Sequence, residues 1–156
     1  MRSLSEFASD CGGELHGEDR QFRSVSTDTR RIAAGQLFVA LRGPSFDGNE
    51  FLDVAARAGA AGALAERTGP SGLPVVQVQD SLVALQRAAR QWRHRFAAPL
   101  IGVAGSNGKT STKEMLAAIL AQRGPTLATR GNLNNHIGVP LTLLDLQSVH
   151  RHAVIE

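Results

Sequence analysis

The stretch LIGVAGSNGKTSTKEM, residues 100–115, decides the fold. Leu100 to Ala104 is an apolar run of strand length, of the kind a sheet buries. Gly105 to Lys109 is a glycine-flanked turn, and from Thr110 the spacing changes to that of a helix. Strand, glycine loop and helix in this order form a phosphate-binding arrangement. Backbone N–H groups can curl around an anion only where side-chain bulk is missing, and a helix starting at once aims its positive dipole end at the same point. Gly105, Ser106, Asn107, Gly108, Lys109 and Thr110 meet both demands. In that arrangement Lys109 serves the β and γ phosphates as a point charge, and the Thr110 hydroxyl is placed for Mg²⁺. The match to the general pattern is imperfect at its leading glycine. Taken alone, the loop also reads as a tight turn with an incidental lysine.

Downstream of the loop, Met115 and Ile119 pair at four-residue spacing, as do Leu116 and Leu120, and Lys113 and Glu114 are expected on the polar side. Gly124-Pro125 ends the helix. Thr126 to Thr129 reads as a strand, Gly131 to Gly138 as a polar loop, Val139 to Leu146 as a short helix starting near Pro140, and Ala153 to Ile155 as a further strand. Glu156 follows at its carboxyl end, where ligands and metal ions collect in open α/β sheets. It is expected to complete a Mg²⁺ site with Thr110; read alone, it is a surface glutamate.

Upstream, Ser3 and Glu6 make a capping-box pattern for a short helix stopped by Gly12-Gly13. Gln21 to Thr27 and Leu37 to Leu41 read as strands, and Gly43 to Gly48 as a loop. Phe51 to Ala58 suits a helix closed by Gly59. Gly62 to Ala65 and Val75 to Val78 read as strands separated by the turn residues Gly69 to Gly72. Asp80 or Ser81 caps a helix whose apolar positions run from Leu82 through Leu85, Ala88, Ala89 and Trp92 to Phe96. Trp92 on that stripe reads as packing.

Composition bounds the rest. Of 156 residues, 42% are hydrophobic and 20% charged, which is globular and excludes disordered, collagenous and membrane-spanning classes. Seventeen Lys plus Arg against fourteen Asp plus Glu leave +3 without clustering, so no nucleic-acid partner is expected. The two lysines, Lys109 and Lys113, fall in one five-residue window. One cysteine, Cys11, forbids an intrachain disulfide and supplies no metal cluster. With no signal-like apolar segment, a cytoplasmic protein is expected.

AGSNGKTSTKEM at 104–115 together with GNLNNHIGVPLTLL at 131–144 resembles the Mur ligase family. VSTDTR at 25–30, GQLFVALRG at 35–43 and FDG at 46–48 are similar to that family's uridine-nucleotide-binding first domain. Ala104 stands where the family usually has threonine. The resemblance implies an α/β chain: a small mixed α/β uridine-nucleotide-binding domain at 1–82, a connecting helix at 83–98, and at 99–156 the beginning of a P-loop ATPase domain with a mainly parallel sheet. It assigns Gly105 to Ser111 to ATP phosphates, and Thr110 and Glu156 to Mg²⁺. Thr27, Asp28, Thr29, Ser45, Phe46 and Asp47 go to the uridine pocket, and Asn134 and Asn135 to the muramyl substrate. Asn132, Asn134 and Asn135 also read as ordinary loop-turn residues, and His136 as a solvent-side loop residue.

KEM with NLNNxIGVP points within the family to the dipeptide-adding branch. The implied cofactors are ATP and Mg²⁺. The implied substrates are UDP-N-acetylmuramoyl-tripeptide and D-alanyl-D-alanine, with a monomeric enzyme and no membrane partner. The implied chemistry is ATP-dependent amide formation: a substrate carboxylate attacks the γ-phosphoryl group, and the dipeptide amine then displaces phosphate from the acyl phosphate. Lys109 and Mg²⁺ offset the repulsion of two approaching anions. Residues 99–156 hold one βα unit and parts of two more, less than a doubly wound domain needs. The chain is therefore expected to be an N-terminal portion of a longer protein, inactive alone. Two other readings remain open: a non-catalytic module that binds UDP-muramyl peptides, and a generic P-loop NTPase.

Overall fold

A computed structural model describes residues 1–70 and 72–156, so Ser71 of the expected 69–72 turn lies outside the described residues. The chain divides into two compact units, Met1–Ala88 and Ala89–Glu156, a boundary that falls inside the helix expected to connect two domains.

In the first unit β1 (Arg2–Ser3) runs into α1 (Leu4–Cys11). Ser3 Oγ accepts from the Glu6 N–H, the Glu6 carboxylate accepts from the Ser3 N–H, and Gly12 closes the helix at φ 75°. Both ends thus satisfy backbone groups the helix leaves open. Leu4, Phe7, Ala8 and Cys11 form its buried stripe. After β2 (Glu14–His16), the strand expected over 21–27 is two strands, β3 (Gln21–Phe22) and β4 (Val25–Ser26). They serve different partners. β3 pairs antiparallel with β1 and buries Phe22 edge-on against Phe7 at 5.5 Å, whereas β4 pairs parallel with β5 (Leu37–Val39).

The segment 43–48, expected as a loop, is a hairpin of β6 (Arg42–Gly43) and β7 (Phe46–Asp47). The Phe46 ring lies so close over Gly43 that a Cβ there would sit 2.2 Å from it, so any other residue at 43 would have to displace the ring. A 3₁₀ turn (Gly48–Phe51) and α2 (Leu52–Arg57) lead to β8 (Gly62–Ala65) and β9 (Val75–Gln77). The sheet order is β2-β9-β8-β5-β4, parallel except for β2. Phe38, Ala40, Leu52, Ala55, Ala63, Ala65 and Val75 pack as its core.

Helix α3 (Ser81–His94) is capped by Asp80, whose Oδ1 accepts from the Leu82 and Val83 N–H groups at 2.8 and 2.9 Å. The second unit then contains β10 (Leu100–Gly102), α4 (Lys109–Ala121), β11 (Thr126–Ala128), α5 (Gly138–Leu144) and β12 (His152–Ile155). Its sheet is parallel throughout, in the order β10-β12-β11. The mixed α/β class with a mainly parallel sheet is the one the sequence implies. Trp92 packs, with Phe96 and Leu143, against Leu127, Leu146 and Ala153, and its Nε1 donates to the Leu146 carbonyl at 3.0 Å.

Two expectations fail here. β10 is an edge strand rather than a buried one: β12 takes the centre, and Leu100 stays 36% exposed. On α4 the expectation holds for Leu116 and Leu120, which face inward, and for Glu114, which is exposed, but it fails for Lys113 and for the Met115–Ile119 row. Lys113 is 1% exposed, while Met115 and Ile119 are about 60% exposed. The cause is helical phase. Positions 109, 113, 116, 117 and 120 share the face that packs on β11 and β12, and 115 and 119 fall off it.

Candidate functional site

The glycine loop leaves the sheet where the Val103 N–H donates to the Ile155 carbonyl at 2.7 Å. From there Ala104 to Gly108 are exposed. Gly108, at φ 73°, lies in the left-handed region, and α4 starts on the next residue. The first N–H groups of that helix have no partner within it and face the loop's concavity with the positive end of the dipole. The expected ATP-phosphate residues are thus an exposed loop, Gly105 to Gly108, running straight into the first turn of α4, where Lys109 is half-buried and Thr110 and Ser111 are exposed.

The carboxyl end of β12 brings Glu156 to this bend. Glu156 Oε1 accepts from the Thr110 hydroxyl at 3.1 Å and from Asn134 Nδ2 at 2.9 Å. The Asn134 hydrogen bond, then that of Thr110, and further off the charges of Lys113 and Lys109 hold the Glu156 carboxyl below its ordinary range. It is an anion at neutral pH. Its second oxygen, Oε2, is buried and has no hydrogen-bond partner among the described residues, an uncompensated acceptor that a cation would satisfy.

No cluster of three or more His, Cys, Asp or Glu side chains suited to a metal occurs among the described residues. One carboxylate and one hydroxyl beside a phosphate loop do fit Mg²⁺, which takes few protein ligands and completes its shell with phosphate oxygens and water. An all-oxygen donor set of this kind suits hard divalent cations such as Mg²⁺ or Mn²⁺.

Two residues of this region carry no role in the sequence reading. Lys113 Nζ donates to the Thr129 carbonyl at 2.9 Å and pairs with Glu114 Oε1 at 2.7 Å. Thr129, 2% exposed, uses its hydroxyl to accept the Glu156 N–H at 2.9 Å. Four-residue spacing from Lys109 is the signal for Lys113; Thr129 carries no sequence signal beyond its place at a strand end. The two asparagines part company. Asn134 meets Glu156, but Asn135 Oδ1 accepts from the Ile137 and Gly138 N–H groups at 3.0 and 2.8 Å and so starts α5. For Asn135 the loop-turn reading describes what the oxygen does. His136 is exposed.

In the first unit Thr27, Asp28, Thr29 and Phe46 line one cavity of about 350 Å³, together with Arg30, Phe38, Leu41, Gly48 and Phe51. Two of its lining residues, Phe46 and Phe51, are 55% and 40% exposed. Asp28 takes Arg30 Nε and Nη2 on its two oxygens at 2.9 Å each; that contact pulls its carboxyl down to about 2. The other two expected pocket residues do not line the cavity. Ser45 is at the exposed hairpin tip. Asp47 caps the 3₁₀ turn through the Asn49 N–H at 2.9 Å and pairs with Arg42.

Comparison with known proteins gives a consistent set of likenesses. The Mur ligase middle domain profile matches residues 103–156. A UDP-N-acetylmuramoyl-tripeptide–D-alanyl-D-alanine ligase of Escherichia coli K12 is 46% identical over 99% of this chain and 34% of its own length. The ligase of that name from Synechocystis is 49% identical over 89% of the chain and 31% of its own length. Among solved structures, the D-alanyl-D-alanyl ligase of Acinetobacter baumannii superposes on the whole chain with a TM-score of 0.91 at 34% identity, over 36% of its own length. A MurF ligase of Thermotoga maritima in complex with ADP superposes on 85% of the chain with a TM-score of 0.74 at 34% identity, over 31% of its own length. The chain thus spans about a third of the length of the relatives it matches.

Proposed function

Because this chain belongs to the Mur ligase family, we propose that the protein carrying it is an ATP-dependent ligase that adds D-alanyl-D-alanine to UDP-N-acetylmuramoyl-tripeptide. The observation that carries the reading is the convergence of Thr110 and Asn134 on Glu156 at the mouth of the glycine loop. A nucleoside triphosphate tail calls for N–H donors, a fixed cation and metal-ligating oxygens in one place, and under this proposal the loop backbone, Lys109 and the Thr110–Glu156 pair supply them. The relatives' names give the substrates, and one relative is known with ADP bound.

Under this proposal the two units divide the work. The first holds the uridine nucleotide in the cavity of Thr27, Asp28, Thr29 and Phe46, with the exposed aromatic faces available for stacking on the base. The second holds ATP. Backbone N–H groups of Gly105 to Ser111 orient the phosphates, Lys109 lowers their charge, and Thr110 with Glu156 would hold Mg²⁺. That ion would supply the electrostatic relief a carboxylate needs to approach a polyphosphate. Asn134 keeps the Glu156 carboxylate turned toward Thr110. No helix among the described residues is long and apolar enough to cross a membrane; a cytoplasmic, monomeric enzyme is part of the proposal.

Calorimetric titration tests it. UDP-N-acetylmuramoyl-tripeptide and Mg-ATP should each give binding heat. Heat from the muramyl nucleotide alone would leave a non-catalytic binding module, and heat from Mg-ATP alone would leave a generic P-loop NTPase.

A further inference from the structure

A lysine that is 1% exposed has to find acceptors, and Lys113 finds two: the carboxylate of its neighbour Glu114 and the main-chain carbonyl of Thr129 just past the end of β11. Thr129 in turn reaches β12 twice. Its hydroxyl accepts the Glu156 N–H, and its own N–H donates to the Val154 carbonyl two residues earlier. Thr129 is therefore fastened to α4 by its carbonyl and to both sides of the β12 terminus by its N–H and hydroxyl. A continuous chain of contacts runs from Lys113 Nζ to the backbone of Glu156, each link between 2.9 and 3.0 Å.

We propose that Lys113 and Thr129 act as a positioning relay that fixes the Glu156 carboxylate against Thr110, so that the metal-ligating pair is set before nucleotide arrives. Lys113 sits on α4 one turn after Lys109, on the same helix that carries Thr110. Locking β11 and the end of β12 to that helix makes the distance between Thr110 and Glu156 a property of one rigid assembly rather than of a free strand end. A buried apolar residue at 113 would pack the same face but could not tie the Thr129 carbonyl. The inference rests on the proposed reading of Thr110 and Glu156 as the Mg²⁺ pair.

The test uses Glu156→Gln, Lys113→Met and Thr129→Val, alone and combined, with ADP as the probe. Two quantities are read: the Mg²⁺ concentration that half-saturates its effect on ADP binding, and hydrogen exchange of the Glu156 amide in metal-free protein. Supporting residues of metal ligands typically change metal affinity by about ten-fold or more. Lys113→Met and Thr129→Val are each expected to raise half-saturating Mg²⁺ by about that factor, with faster Glu156 amide exchange and unchanged ADP affinity without metal. In the Glu156→Gln background neither should add further, because a relay acts only through its target. Additive shifts, or an amide as protected as in the parent, overturn the relay. Weaker ADP binding without Mg²⁺ also overturns it and places Lys113 on the nucleotide itself. If Lys113→Met does not fold, Thr129→Val, which keeps the carbonyl and the side-chain shape, carries the test alone. If Glu156→Gln leaves the Mg²⁺ dependence unchanged, it is the metal assignment that fails, and the relay falls with it.

Discussion

The Thr110 hydroxyl donates to Glu156 Oε1 across 3.1 Å, although 46 residues separate the two in the chain. One stands on the first turn of α4 and the other at the end of β12, the central strand of its sheet, so the parallel strand order is what joins them. A glycine loop and the carboxyl end of the neighbouring strand converge in this way wherever an open α/β sheet places its ligand.

Removing the hydroxyl should therefore be felt through metal rather than through nucleotide alone. Thr110→Val keeps the side-chain shape and deletes the hydroxyl oxygen proposed to ligate Mg²⁺. Half-saturating Mg²⁺ for ADP binding is expected to rise by about ten-fold, equivalent to ~1.4 kcal/mol, while ADP binding in the absence of divalent cation stays as in the parent. Mg²⁺ titrations monitored by calorimetry check this, and an unchanged titration would remove Thr110 from the site.

Lys109→Ala tests the fixed cation. A full charge about 4 Å from a phosphate contributes between ~1 kcal/mol in bulk water and ~4 kcal/mol at surface-like screening, so ATP affinity should drop by at least about five-fold. Uridine-nucleotide affinity, which the proposed function places in the first unit, should not move. Equal losses for both nucleotides would show that the substitution damages the fold instead.

The glycine loop and its helix are legible in the sequence because they are local: small residues, a lysine and a change of period lie close together in one short stretch. So is the capping box at Ser3 and Glu6, which satisfies backbone groups a single turn apart. The relation of Glu156 to Thr110 is legible only through the rule for strand ends, and that of Lys113 to Thr129 not at all. A lysine on a helix reads as polar, and nothing local announces that β11 will bring a carbonyl to it. The burial of Lys113 and exposure of Met115 and Ile119 have the same root: two apolar rows offer two possible inward faces, and packing against β11 and β12 selects that of Leu116 and Leu120. Of the uridine residues, Thr27, Asp28, Thr29 and Phe46 meet at the cavity, whereas Ser45 and Asp47 belong to the same short hairpin as Phe46 but lie at its exposed tip and at the Asn49 cap.

Phe46 gives the sharpest test of that cavity. It is 55% exposed, packs over Gly43 and lines the space together with the buried Phe38. Stacking a base on an aromatic ring contributes about 1–3 kcal/mol, so Phe46→Ala should weaken UDP binding by roughly five-fold or more. Because the ring is half in solvent, the urea midpoint should shift little. Calorimetry with UDP and a urea melt separate the two effects, and loss of stability without loss of affinity would make the ring merely structural.

Gly108 and Gly102 form a natural pair for the loop. A Cβ at either would meet no heavy atom within 4 Å, but only Gly108 carries a positive φ, at 73°. Gly108→Ala should therefore cost about 1–2 kcal/mol from backbone conformation alone, read as a lower urea midpoint. Gly102→Ala, on an edge strand with open space, should match the parent or exceed it. Equal penalties would mean that crowding, not the left-handed turn, governs the loop.

Asp28 offers a pH-dependent measurement in the first unit. Its carboxyl is drawn to about 2 from an ordinary 3.8, first by the side-chain hydrogen bonds of Arg30 and then by the Arg30 N–H. A carboxyl lowered on folding contributes stability above its unfolded value and loses it as pH falls through the folded one. The contribution is thus complete at neutral pH, declines below about 4 and is gone near 2. Asp28→Asn keeps an oxygen for the Arg30 N–H and removes only the charge, so the parent should have the higher urea midpoint at pH 7. The gap should close between pH 4 and pH 2. Arg30 is exposed, so the same gap should also narrow at neutral pH in molar salt, where charges beyond a few ångströms are screened. A gap that persists unchanged at pH 2 would assign the effect to packing of the turn rather than to the ion pair.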